Sequence, residues 1–281
     1  MKFTKFKSQL IYGLRIFRWI YHSTENPLRS LLKIVFKHPP YTLKLVTGKE
    51  IIISNKGEGI VDRLAKEFYK VEGQSFFLYK SDVGNFEIRG FNNPWTIICV
   101  FFFKDWRKLH VKGKKVLDIG GYVGDTAIYF IGLGAEKVIS YEPFPHSFHI
   151  ETDNIIQNGL IDKIAVLNRG VGGRDSNMTL NPEEISTNES RAISQKKGKG
   201  IPIPIDSLET IVSKYDIRNW PLKMNCEGCE YEVFNNVDTQ TLRRFSEMQI
   251  HYHGDPKPLI KRLRSAGFRV KLNDYLYAKK I

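Results

Sequence analysis

The stretch Lys115–Phe130, K-V-L-D-I-G-G-Y-V-G-D-T-A-I-Y-F, constrains this chain more than any other. A short apolar run, Val116-Leu117, ends in Asp118; glycines follow at 120, 121 and 124, and a helical pattern opens at Asp125-Thr126. Strand, glycine turn and helix in that order form the opening unit of a doubly wound sheet, which binds a nucleotide-like ligand at the strand's carboxyl end. Glycine lets the chain reverse tightly there, and a Cβ would hold the backbone away from a ligand. The spacing is G-G-x-x-G, which departs from the G-x-G-x-x-G of a dinucleotide site.

The next strand narrows the ligand. Val138-Ile139-Ser140-Tyr141 reads as strand two and ends in Glu142, followed by Pro143-Phe144-Pro145. An acid roughly 20 positions beyond the glycine turn is placed to accept both hydroxyls of a ribose. Asp118 adds a second carboxylate at the same edge, which suits a cationic amino-acid tail and would repel a pyrophosphate. That favours S-adenosylmethionine over NAD. The competing reading makes these acids caps of the following helices.

Downstream the chain alternates. His146 to Asn158 reads as helix, Ala165 to Asn168 as strand three, Ile205-Asp206-Ser207-Leu208 as a helix start capped by Asp206 or Ser207, and Leu222 to Met224 as the central strand. Strands separated by helices argue for an α/β, mostly parallel sheet covered on both faces.

Three blocks, V-L-D-I-G-G-Y-V-G-D-T-A-I-Y-F, Y-E-P-F-P and K-M-N-C-E-G-C-E-Y-E-V-F at 223–234, occur in the order found in the FkbM family of S-adenosylmethionine-dependent methyltransferases. The chain resembles that family from about Lys112 to Phe268. The resemblance implies a Rossmann-like doubly wound, mostly parallel sheet of the class I methyltransferase type, with a small N-terminal α+β extension. It implies S-adenosyl-L-methionine as cofactor and O-methylation of a hydroxyl on a sugar, glycan or natural-product acceptor. Cofactor contacts are then expected from Asp118, Gly120, Gly121, Gly124, Asp125, Glu142 and Pro143, with the adenine near the turn Arg169–Gly173.

At the central strand the family's aspartate is replaced by Asn225, while Glu227 keeps its place two residues on, a spacing that turns both the same way in extended chain. In Gln249-Ile-His251-Tyr-His253, His251 stands where a glutamate is usual and His253 matches the family's histidine. His253, Glu227 and Asn225 are the expected catalytic residues, with His253 as general base for the acceptor hydroxyl. A strand-end histidine satisfied by a backbone carbonyl is the rival reading. Asn225, Glu227, His251 and His253 also have metal-ligand chemistry, but no close pair such as H-E-x-x-H supports it, so no metal is expected. Cys226 and Cys229 have no second ligand pair to complete a zinc site, and Cys226 reads as core lining.

A chain of 281 residues with 42% hydrophobic and 26% charged residues suits one large domain, 111–281, behind an α+β module, 41–110, and a basic segment, 1–40. That segment holds eight Lys or Arg against one acid, a net +7 of the chain's +13. Phe3, Phe6, Leu10, Leu14, Phe17 and Tyr21 fall on one helical face. Such a helix suits peripheral contact of residues 1–24 with an anionic membrane or a partner, or packs on the enzyme with its charges solvated. A catalytically weakened, partner-binding protein is the non-enzyme alternative. A nucleic-acid acceptor ranks below a small molecule or glycan, because much of the charge lies away from the motif blocks. In the α+β module, Tyr41 to Val46 and Ile51 to Ile53 read as a hairpin, Ile60 to Tyr69 as helix, and Phe76 to Tyr79 with Phe86 to Arg89 as a strand pair. Asn181 to Gly200 is polar and reads as a mobile loop on the substrate side, or as solvated lysines. The three cysteines suggest no disulfide framework and a cytoplasmic, reducing setting, and no secretory signal pattern is seen.

Overall fold

The computed structural model of the protein describes residues 17, 20, 24–45, 48, 50–54, 69–72, 75–78, 83–91, 94–180 and 200–281. The expected amphipathic helix over residues 3–21 lies outside them apart from residues 17 and 20. The expected helix Ile60–Tyr69 and loop Asn181–Gly200 lie outside them apart from their last residues. The chain forms two compact units, Met1–Tyr79 with Asn93–Lys104 and Lys80–Asn92 with Asp105–Ile281. No helix among the described residues is long and apolar enough to cross a membrane.

In the first unit a helix runs Pro27–Phe36, with proline in its first turn and the Asn26 side chain accepting from the Arg29 N–H at 3.2 Å. The expected hairpin is present as Tyr41–Lys44 antiparallel to Glu50–Ile53. Tyr69–Glu72 pairs antiparallel with Ser75–Leu78, and the apolar run after Pro94 forms a helix, Pro94–Phe101.

The second unit is built on a seven-stranded sheet. Its strands are β1 (Lys115–Ile119), β2 (Lys137–Tyr141), β3 (Ile164–Leu167), β4 (Trp220–Met224), β5 (Phe245–Ile250), β6 (Phe268–Leu272) and β7 (Leu276–Lys280), in the spatial order β6-β7-β5-β4-β1-β2-β3. Only β7 runs against its neighbours, β5 and β6. The remaining pairs are parallel, as the alternating sequence predicts. The longer helices are α1 (Asp125–Gly132), α2 (Pro145–Gln157), α3 (Leu208–Lys214), α4 (Cys229–Asn236) and α5 (Lys257–Ser265), with a single turn at Thr239–Leu242. Central strands that read V-L-D-I, V-I-S-Y and L-K-M are buried almost throughout, as a sheet covered on both faces requires. α2 also carries a short edge strand, Glu87–Arg89, through Asn158 Oδ1 and Asn154 Oδ1, which accept from the Glu87 and Arg89 N–H groups at 2.8 Å each.

Two charged residues interrupt these apolar strands, and they face each other. Asp118 on β1 and Lys223 on β4 are register partners, with Nζ 2.8 Å from Oδ1 and both side chains buried. The Lys223 ammonium also donates to the Gly120 carbonyl at 2.5 Å and lies 5.3 Å from the centre of the Trp106 ring. The Thr126 hydroxyl donates to Asp118 Oδ2 at 2.5 Å, so the first turn of α1 is tied to the same pair.

The expected turn at Arg169–Gly173 is corrected. Gly170–Gly172 is a strand, parallel to Ile201–Ser207, which pairs antiparallel with Ser176–Leu180. A Cβ on Gly170 or Gly172 would meet the Ile205 side chain, which would have to shift. Ser207 caps α3, its Oγ accepting from the Thr210 N–H at 3.2 Å; Asp206 instead pairs with Arg169.

Removing one member of a buried ion pair strands the other charge, which typically costs about 3–5 kcal/mol. Lys223→Met should destabilise the protein by about that much in urea unfolding, and the double variant Asp118→Leu/Lys223→Met should recover part of the loss. Equal stability of Lys223→Met and wild type would contradict the assignment.

Candidate active site at the carboxyl edge of the sheet

Register sets the edge. Ile119 of β1 lies opposite Tyr141 of β2 and Met224 of β4, and Met224 lies opposite Ile250 of β5. The next residue of each strand is Gly120, Glu142, Asn225 and His251. These four therefore stand side by side along the carboxyl edge of four consecutive strands, each about 4.8 Å from the next. In doubly wound sheets ligands bind at this edge.

On the β1–β2 half, Gly120 has φ +82°, and a Cβ there would collide with the Asn225 carbonyl oxygen. A Cβ on Gly121 would strike the Glu151 carboxylate and the Ser140 hydroxyl, and Gly124 precedes α1 at φ +84°. These glycines are expected to clear space for a ligand; at 120 and 121 the chain itself also makes the close approach. Glu142 is buried, its two oxygens accepting from the Tyr122 N–H at 2.8 Å and the Phe144 N–H at 2.9 Å. Asn168 Nδ2 donates to the carbonyls of Glu142 and Pro143, both at 3.0 Å, and so pins the segment that carries the acid.

Asp118, expected near an amino-acid tail, is turned into the core. It is fully buried and neutralised by Lys223. Three more acids surround it. Asp125, Glu142 and Glu151 are also buried, and the Lys223 charge acts on all three. Burial pushes the Asp125 and Glu142 carboxyls up to about 7, with Lys223 pulling back, and it raises Glu151 as well. An edge with this excess of buried acid fits a ligand that brings positive charge, as the sulfonium and ammonium of S-adenosylmethionine do.

On the β4–β5 half, Asn225 and Glu227 do not lie in extended chain. Glu227 sits in a tight turn at φ +54°, ahead of Gly228 at φ +118°, and a Cys226–Cys229 disulfide closes that turn. Two of the cysteines are thus paired with each other, and both pack against the core, where Cys226 was expected as lining. The turn nevertheless delivers both residues to the histidines. His251 Nδ1 lies 2.9 Å from Asn225 Oδ1, His253 Nε2 lies 3.0 Å from Glu227 Oε2, and the two rings meet edge to face with centres 4.5 Å apart. A fifth residue completes the group: Glu230, in the first turn of α4 and fully buried, has Oε1 3.1 Å from His253 Nδ1.

This geometry corrects the expected role of His253. Hydrogen bonds to Glu227 and Glu230 hold its proton up to about 10, so at neutral pH its ring is charged and has no lone pair to act as a base. His251 goes the other way: burial, then the charge on His253, lowers it and keeps it neutral. Neither histidine is satisfied by a backbone carbonyl alone, so the rival reading fails for both.

Lys223, Glu230, Glu151 and Asn168 were not expected at the site. Lys223 and Asp118 had a visible signal, one charge in each of two apolar strands. Glu230 and Asn168 had none, because their partners are distant in sequence.

Asp125 and Glu142 bind a proton up to about pH 7 in the folded chain but only up to about 4 when unfolded. Across that window the folded state carries more protons, so these groups make the ligand-free protein less stable as pH rises from about 5 to 7. Glu142→Gln should flatten this fall in the unfolding midpoint. An unchanged slope would contradict the burial argument.

The methyltransferase FkbM domain profile matches residues 118–270. Ribosomal protein L11 methyltransferases from Vibrio parahaemolyticus serotype O3:K6 and Vibrio vulnificus are each 37% identical over 75 residues, 26% of this chain and 24% of theirs. The chain thus spans about a quarter of the length of the curated relatives it matches. Among solved structures, a ribosomal protein L11 methylase from Lactobacillus delbrueckii subsp. bulgaricus superposes with TM-score 0.39 at 15% identity, over 68% of this chain and 81% of that one. TrmK from M. capricolum, solved with S-adenosyl-homocysteine, gives TM-score 0.37 at 12% identity over 63% and 66%. The profile match covers more than half of the 281 residues and includes both halves of the carboxyl edge; the chain belongs to the FkbM methyltransferase domain family.

Proposed function

We propose that the protein is an S-adenosylmethionine-dependent methyltransferase acting on a hydroxyl of a sugar, glycan or natural-product acceptor. The observation that carries this reading is the alignment of two unlike half-sites on one edge, buried acid on β1–β2 and imidazole with carboxylate on β4–β5. When bound, the cofactor supplies an electrophilic methyl on a sulfonium. Glu142, fixed by two backbone N–H groups, presents its remaining lone pairs to the ribose hydroxyls. Asp125 and Glu151 are buried at the same edge, and a cationic ligand favours their ionised forms.

The acceptor enters on the other half. Asn225, Glu227, His251 and His253 hold its hydroxyl; Glu227 and the neutral His251 are the groups able to take up its proton, with Asn225 keeping the His251 ring in place. Holding oxygen and methyl in line supplies much of the rate, and proton removal typically adds about 10²–10⁴-fold. Members of this family resemble one another in methylating hydroxyls, which is why oxygen acceptors come first.

Incubation with methyl-labelled cofactor and a panel of glycans and hydroxylated natural products tests this. Label should enter an O–CH₃ group, and Glu227→Gln should lower kcat by about 10²-fold or more with little change in cofactor binding. Label confined to added RNA or DNA would move the acceptor to nucleic acid and overturn the proposal.

A further inference from the structure

We propose that Glu227, His251 and His253 form a binding site for one divalent transition-metal ion, which takes the acceptor oxygen as an additional ligand. The proposal rests on the reading of this half of the edge as the acceptor side of a methyl-transfer centre. One donor atom from each of the three residues lies within 4.8 Å of the other two. The tightest pair, His253 Nε2 and Glu227 Oε2, is 3.0 Å apart. Two ligands on one ion at about 2.0–2.1 Å each, at a tetrahedral angle, stand roughly 3.3 Å apart. The pair already has the separation of two ligands on one ion.

The second set of contacts points the same way. Metal-bound histidines almost always give their other ring nitrogen to an oxygen acceptor, which fixes tautomer and orientation. Both histidines here have that arrangement: His251 Nδ1 faces Asn225 Oδ1 at 2.9 Å, and His253 Nδ1 faces Glu230 Oε1 at 3.1 Å. Glu230 is fully buried, and its Oε2 has no hydrogen-bond partner. A buried carboxylate held behind a histidine in this way is stabilised when that histidine carries positive charge from its far side. Glu230 is therefore a positioning residue, and Glu227, His251 and His253 are the ligands, the ion taking the place of the proton between His253 Nε2 and Glu227 Oε2.

Composition sets the class of ion. Two imidazoles and one carboxylate suit zinc, iron, cobalt, nickel or manganese, whereas magnesium and calcium prefer all-oxygen sites. Three protein ligands leave coordination positions open, as catalytic sites do. Glu227 and His253 are about one-third and one-quarter exposed, so an acceptor oxygen has access. Such an ion polarises the hydroxyl and lowers its pKa, so the proton leaves to water before the oxygen takes the methyl, and the bond from methyl to sulfur breaks as the bond to oxygen forms. No oxidant or reductant takes part.

The test uses the full, tag-free chain after dialysis against chelator, titrated with Co²⁺ and followed by visible absorption, with Zn²⁺ competition. One equivalent should bind and show weak ligand-field bands without intense thiolate charge transfer. His251→Ala and His253→Ala should each lose it, and Glu230→Gln should bind about 10–100-fold more weakly. Calorimetry of the same variants with S-adenosylmethionine checks the fold. A wild type that binds the cofactor but takes up no more Co²⁺ than His253→Ala overturns the site, as does binding with thiolate bands that survives both histidine variants. Stoichiometric, histidine-dependent Co²⁺ binding without any cofactor binding would retain the metal site and remove the methyltransferase reading.

Discussion

The Asp118–Lys223 ion pair is the interaction on which the edge depends. A buried charge pair is weak evidence of stability, since apolar residues of like shape often serve as well. Its value here lies in position. One lysine ties β1 to β4 in register, and its ammonium reaches past Asp118 to the Gly120 carbonyl. Slipping β4 by one residue would turn Lys223 to the other face and leave Asp118 alone in the core. The pair thereby fixes which residues follow the strands, and so which ones meet at the edge.

From that constraint the division of the site follows. Lys223 is spent on Asp118, which leaves Asp125, Glu142 and Glu151 buried without full compensation. An uncompensated buried acid is a cost to the folded protein that a cationic ligand relieves. One strand further along, the turn at Glu227 and the strand end at His251 bring two imidazoles against two carboxylates. The first half suits a cationic cofactor whose sulfur loses its charge when the methyl leaves. The second suits an ion and an oxygen that must exchange.

Much of the fold was legible because it rests on local signals. Val116 to Asp125 reads as strand, turn and helix from apolar run, glycine and helix opening, and Tyr41 to Ile53 reads as a hairpin from alternation around Gly48. Glu142 was legible from its spacing alone. What was not legible depends on contacts between distant residues. Gly170 and Gly172 look like a turn in sequence, yet they are strand residues that make room for Ile205. His253 looks like a free base until Glu230, 23 residues away, is placed behind it. Asn225 looks like a lost aspartate, but it retains the oxygen that holds His251.

The central claim is that the β1–β2 half of the edge is a cofactor site held by Glu142. Calorimetric titration of the purified chain with S-adenosylmethionine, beside Glu142→Ala, tests it most directly. The account predicts saturable one-to-one binding by the wild type and its loss in a variant that still unfolds cooperatively. A folded wild type that takes up no cofactor, or a variant that binds it as tightly, would contradict it.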